Sequence, residues 1–200
     1  MTILDLFVNF SLAVVLIVGA YQFYFWCQRQ TRMRARYFSF RLDDAIRLRP
    51  KWVWIYSGLY YPAMGIVTWS AKDLRSFNYM AFSYLVLLGL HILAFLAFPI
   101  EVPPTWRQGE SRPKSPSQQF LMFVQRHDER SNCFPSLHVS VATLTALHIA
   151  RNVPCGAAPP AIFVILISAS CILTKQHYIM DVPAGVILGW LCFVLFLHLI

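Results

Sequence analysis

Two short segments of this chain hold residues suited to nucleophilic and acid–base chemistry. They are Asn132-Cys133-Phe134-Pro135-Ser136-Leu137-His138 and Thr174-Lys175-Gln176-His177-Tyr178-Ile179-Met180-Asp181. Each sets a histidine at the end of a very apolar run, and the second adds Asp181 four residues past His177. An ionisable residue at a membrane boundary is costly to keep and is a functional candidate by default. A carboxylate bonded to one imidazole nitrogen fixes the tautomer and leaves the other nitrogen free to attack. The second imidazole then supplies a proton donor. Lys175, Arg107, Arg112, Arg126 and Arg130 are available to neutralise the oxygens of a phosphoryl group, where charge must be stabilised during its transfer.

The remaining sequence must bring these groups together, and its composition says what kind of scaffold does so. Hydrophobic residues make up 58% of the 200 and charged residues 13%, against about 25% charged in an ordinary soluble domain. No linker or internal repeat divides the chain, so residues 1–200 read as one integral-membrane domain. The first apolar run lacks a small-residue cleavage site and reads as a retained span. A bilayer crossing needs roughly 17–25 apolar residues. Six segments approach that: about Ile3 to Cys27, Trp52 to Ser70, Phe77 to Phe98, Pro135 to Ala150, Pro160 to Leu173 and Val182 to Ile200. Gly58, Pro62 and Gly65 weaken the second. Helices satisfy their own backbone groups in lipid, so the expected fold is an all-α, six-transmembrane-helix bundle.

Six crossings distribute the loops over two faces. One face holds Arg29 to Lys51, the Pro99–Cys133 loop and Lys175, and it carries all of the 17 basic residues except Lys72, Arg75 and Arg151. The excess of positive charge on the cytoplasmic side of membrane proteins then places this face in the cytoplasm and both chain termini outside, in a multi-pass protein of a bacterial inner membrane. Arg29–Lys51 reads as an orienting and headgroup-contacting run; with no soluble domain beside it, a nucleic-acid role is not expected. Both histidine motifs fall on the same basic face. The fourth and fifth spans form a hairpin, which returns His177 to the membrane face where His138 starts. Ser131 or Asn132 is expected to cap the fourth span, with Pro135 in its first turn and Ser136 adding a hydroxyl. The free amides there make an anion site. His177 and Asp181 are expected on one side of a helix.

Other residues read more plainly. His91, His148 and His198 are expected as interface residues at span ends. Cys27, Cys133, Cys155, Cys171 and Cys192 show no paired spacing and read as packing residues. A metal site from His138, His177 and Asp181 is conceivable, but the His-Glu-x-x-His type of ligand pair is missing, so none is expected.

These motifs resemble those of the type 2 phosphatidic acid phosphatase (PAP2) superfamily, which shares its site with vanadium haloperoxidases. Pro135, Ser136 and His138 match its Pro-Ser-Gly-His motif, with Leu137 in place of glycine. Ser170, His177 and Asp181 match the motif Ser-Arg, five residues, His, three residues, Asp, with Cys171 where the arginine stands. Both departures, together with Trp52-Val53-Trp54-Ile55-Tyr56, Tyr60-Tyr61-Pro62 and Asp181-Val182-Pro183-Ala184-Gly185, resemble the inositol phosphorylceramide synthase branch. The family's first motif is not intact: Arg112-Pro113 lacks its lysine, and Phe98-Pro99 through Arg107 looks like a diverged proline-rich loop.

The resemblance implies a metal-independent lipid phosphatase or phosphotransferase that needs no cofactor and acts on a lipid phosphate. His177 would attack phosphorus, Asp181 would hold its ring, and His138 would protonate the leaving group. Ser136 and Arg107, or else Arg112 or Arg130, would bind the phosphate, with Lys175 standing in for the lost arginine. Water as acceptor gives hydrolysis, and a lipid or polyol hydroxyl gives transfer. The haloperoxidases are soluble, unlike this chain. A catalytically decayed membrane scaffold would also account for the missing arginine.

Overall fold

Long runs of apolar residues leave the backbone little choice but helix. The computed structural model describes residues 2–31, 36–38, 40–107, 115–128 and 130–200, and it is almost entirely helical. Arg112 lies outside the described residues. Helix α1 (Ile3–Thr31) opens on a reciprocal cap between Thr2 and Asp5. Helix α2 (Arg41–Ala45) is a single short piece. The predicted second span is two helices, α3 (Val53–Gly58) and α4 (Tyr60–Trp69). Pro62 has no amide hydrogen to return to the Gly58 carbonyl, so the ladder breaks between them.

Helix α5 (Leu74–Ala97) begins three residues earlier than expected, because the Asp73 carboxylate accepts from the Ser76 amide at 2.6 Å. Helix α6 (Pro116–His127) lies inside what the sequence reading treated as loop, capped by Ser115 and opened by Pro116. Helices α7 (Leu137–Asn152), α8 (Ala158–Leu173) and α9 (Asp181–Leu199) follow. Three helices, α1, α5 and α9, are long and apolar enough to cross a membrane, while α8 is apolar but shorter. Beyond the helices, β1 (Arg36–Tyr37) pairs in parallel with β2 (Ile100–Glu101).

Helix α7 is the centre of the bundle, buried over Val139, Ser140, Ala142 to Ala146, His148 and Ile149. Several of its hydroxyls, and one nitrogen of its buried imidazole, are bonded by neighbouring helices. Ser140 Oγ lies 3.1 Å from His91 Nε2, His148 Nε2 lies 3.0 Å from Ser83 Oγ, and Thr145 Oγ1 lies 2.8 Å from Tyr84 Oη. His91 and His148 are therefore core residues, not interface residues as expected; only His198 is exposed at a helix end. Buried polar groups need such partners, and a helix between helices provides them.

Two glycines let α9 press against α7. A Cβ on Gly185 would come within 2.8 Å of the Ser136 carbonyl oxygen, and one on Gly189 within 2.5 Å of that of Ser140. Small residues four apart allow two helices this close approach. The consequence is local: the start of α9, with Asp181, is held against the start of α7, with Ser136 and His138.

Candidate active site

The α8–α9 connection presents His177. The chain leaves α8 through Lys175, whose φ is 58°. The Cys171 carbonyl then accepts from the amides of Gln176 (3.1 Å) and His177 (3.3 Å). The histidine therefore sits in a tight turn before α9, and the expected placement of His177 and Asp181 on one helix face is corrected. Their contact survives by another route, with Asp181 at the first position of α9 and Asp181 Oδ2 3.1 Å from His177 Nδ1. The same carboxylate oxygen accepts from the Tyr178 amide at 2.8 Å.

His177 Nδ1 also lies 2.9 Å from the Cys133 carbonyl oxygen. With a carbonyl on one side and a carboxylate on the other, Nδ1 must carry the proton. That leaves the Nε2 lone pair open, and no described residue bonds it. Both partners are backbone or buried side chain, since Asp181 is 2% and His177 5% exposed. Burial, then the Asp181 carboxylate, hold the Cys133 thiol well above its ordinary pKa against the opposing charge of Arg107. Cys133 thus lies within electrostatic reach of both groups.

His138 stands in the first turn of α7. Ser136 is the N-cap, accepting from the Val139 amide at 3.4 Å; Ser131 and Asn132 do not cap this helix, as had been expected, and Pro135 precedes it. Ser136 is fully buried, and its own amide is turned to the Asp181 carbonyl at 3.3 Å. The His138 ring is 5.9 Å from that of His177, centroid to centroid. It stacks on Tyr56 at 4.2 Å, with Tyr56 Oη 3.4 Å from Nδ1, while the Tyr60 hydroxyl donates to the His138 carbonyl. Tyr56 and Tyr60 were not read as site residues, although the aromatic segment carrying them stood out.

The basic candidates separate. Arg107, at the end of the 3-10 turn Pro104–Arg107, donates to the carbonyls of Asp128 (2.5 Å) and Gln125 (3.5 Å) and to the Gln176 side chain. It is thus joined to the residue next to His177. The Nε2 atoms of Gln176 and Gln125 and the hydroxyl of Ser131 are buried without a partner among the described residues, and donors of this kind suit an anion. Lys175 takes another course. Its ammonium donates to the Asp43 carbonyl and lies 4.2 Å from the Trp106 ring centroid, and burial lowers its pKa against the pull of Asp44 and Asp43. Arg130 contributes its carbonyl to Val102.

A cover of polar links encloses this turn. Asp43 Oδ1 accepts from the Ile179 amide at 2.8 Å, and the Tyr178 hydroxyl donates to the Glu101 carbonyl at 2.7 Å. The run Arg29–Lys51, read as a headgroup contact, therefore also contains the residue that pins the turn carrying His177. Among the described residues no three His, Cys, Asp or Glu side chains gather as metal ligands do. An apolar cavity of about 210 Å³ opens from His138 and Tyr60 between α1, α4 and α5.

The chain belongs to the PAP2 superfamily, whose profile matches residues 33–195. Members are generally phosphatases or phosphotransferases of lipid phosphates, and the three long apolar helices agree with a membrane protein. No curated protein and no solved structure matches the chain.

Proposed function

We propose that the protein is a membrane lipid phosphatase or phosphotransferase working through a phosphohistidine on His177. The observation that carries this reading is the double anchoring of His177 Nδ1 by the Cys133 carbonyl and the Asp181 carboxylate, with His138 5.9 Å away. In the first step the His177 Nε2 lone pair forms the N–P bond as the ester P–O bond breaks. Asp181 stabilises the positive charge that develops on the ring. The electron pair leaves with the alkoxide, and His138 gives it a proton. In the second step neutral His138 takes a proton from the acceptor hydroxyl as its oxygen bonds to phosphorus. The N–P bond then breaks, and His177 returns to its starting state.

For phosphate binding, Arg107 with Gln176 and Gln125 is the better-supported group, because it adjoins His177 and includes buried donors without partners. Ser136 would act by fixing the α7 amides. Lys175 would serve as a support of the turn, given its bond to Asp43; Arg112 and Arg130 stand behind Arg107. The cavity beside His138 supports a donor with a long apolar chain: a phospholipid, or a polyprenyl or sphingolipid phosphate. Resemblance to the inositol phosphorylceramide synthase branch favours transfer to a hydroxyl. In this reading the chain crosses a bacterial inner membrane six times, α3–α4 and α7 completing the set, with the site on the basic, cytoplasmic face.

Purified protein incubated with labelled lipid phosphates tests this, with water alone or with diacylglycerol, ceramide or inositol as acceptor. Release or transfer of label that vanadate suppresses is expected. No turnover of any donor would leave the scaffold reading.

A further inference from the structure

All three basic residues on the membrane face away from His177 meet in one place. Lys72 and Arg75 come from the turn before α5 and its first residues, and Arg151 from the last turn of α7. With Ser70, Asn152 and Tyr79 they line a hollow of about 350 Å³ floored by Met80 and Phe196. Like charges repel, and this face is otherwise bare of basic residues, so their gathering from helices 76 residues apart calls for a compensating anion. Asp73 also lines the hollow and, while its carboxylate caps α5, offsets one of the three charges, so the described side chains leave an excess of positive charge there. Among the described residues the ion pair formed is His177–Asp181, at the other face.

The two guanidiniums lie over aromatic rings. Arg75 lies 5.7 Å from the Tyr79 ring centroid and donates to its hydroxyl at 3.5 Å; Arg151 lies 5.7 Å from the Phe196 centroid. Stacked arginines keep their N–H edges for an oxyanion. The hollow sits where α5 begins and α9 ends, at the termini of two helices long and apolar enough to cross a membrane. Its volume falls within the range of small-ligand sites, about 300–1,000 Å³, and it has an apolar floor that a bare phosphate ion would not use. Met80 lines both this hollow and the apolar cavity that reaches His138.

We propose that Lys72, Arg75 and Arg151 form a second lipid site, which binds the phosphate headgroup of an anionic phospholipid in the leaflet opposite the catalytic face. Its first methylenes rest on Met80 and Phe196.

The full chain, purified in an uncharged detergent, is titrated with phosphatidylglycerol, and bound lipid is counted by native mass spectrometry. Wild type is compared with K72Q/R75Q/R151Q, the single change R151Q and the charge-conserving K72R/R75K/R151K. A basic residue at a bilayer surface is worth about fivefold in binding of an anionic lipid. Loss of all three should therefore weaken one bound lipid by roughly 100-fold and R151Q by roughly fivefold, while K72R/R75K/R151K retains it. Unfolding midpoints without lipid show whether each variant is folded, and R151Q decides if the triple variant is not. Equal affinity of wild type and R151Q overturns the proposal. In a second arm inorganic phosphate competes at 10 mM: survival of the bound phosphatidylglycerol supports the lipid, and its displacement assigns the hollow to the free ion instead.

Discussion

Two pairs of histidines invite comparison in this protein, and burial alone does not single out His177. His91 and His148 sit in the interior and His138 and His177 at one face, yet His177, at 5% exposed, is nearly as enclosed as the first two. The partners differ. His91 is bonded through Nδ1 to the Leu87 carbonyl and through Nε2 to Ser140, so it has no nitrogen left for chemistry. His148 bonds Ser83 and is walled by Phe193 and Phe196. His177 has one nitrogen held by two acceptors and the other unoccupied among the described residues. In the proposed reading, what sets His177 apart is an acidic orienting partner on one nitrogen and room at the other.

The sharpest way to break this comparison is to remove the reactive member. His177→Ala should lower turnover by about 10⁶-fold, as loss of a nucleophile does, and cost about 1–3 kcal/mol of stability, because Asp181 and Cys133 lose a buried partner. A steady-state assay with a labelled lipid phosphate measures it, and wild-type turnover would erase the distinction between the pairs. His138→Ala should cost roughly 10²–10⁴-fold with an alkyl phosphate. It should cost far less with a nitrophenyl phosphate, whose leaving group needs no proton, so a loss equal for both would remove the proton-donor role. Tyr56→Phe should slow turnover by about tenfold or less, the scale of one hydrogen bond to His138. At the far end of the comparison, His91→Ala should leave kcat near wild type but cost about 1–3 kcal/mol of stability, because Ser140 loses a buried partner. Thermal unfolding reads that change.

Much of the helix order was legible in the sequence, since long apolar runs have few alternatives in lipid. The ends were less so, and the reasons are local. Asp73 and Ser115 draw α5 and α6 to starts that hydropathy does not mark. Pro62, legible as a weak point of the second span, divides it into two helices. The meeting of His138 with His177 followed from counting crossings, but the turn that delivers His177 did not, because it depends on the Cys171 carbonyl and on Asp43 from a distant stretch. Spacing of four suggested a helix; here four residues close a loop onto a helix start. Tyr56 as a neighbour of His138 could not be read from spacing at all, since the α3–α7 packing that joins them is tertiary.

The most direct test of the account is to trap the covalent intermediate. Wild-type protein mixed with a ³²P-labelled lipid phosphate and quenched in alkali should carry label that is stable in base, lost in acid and bound to Nε2 of His177 in the recovered peptide. His177→Ala should carry none. Label on Ser136, Cys133 or another residue, or a His177→Ala protein labelled as fully as wild type, would contradict the assignment of His177 as the nucleophile.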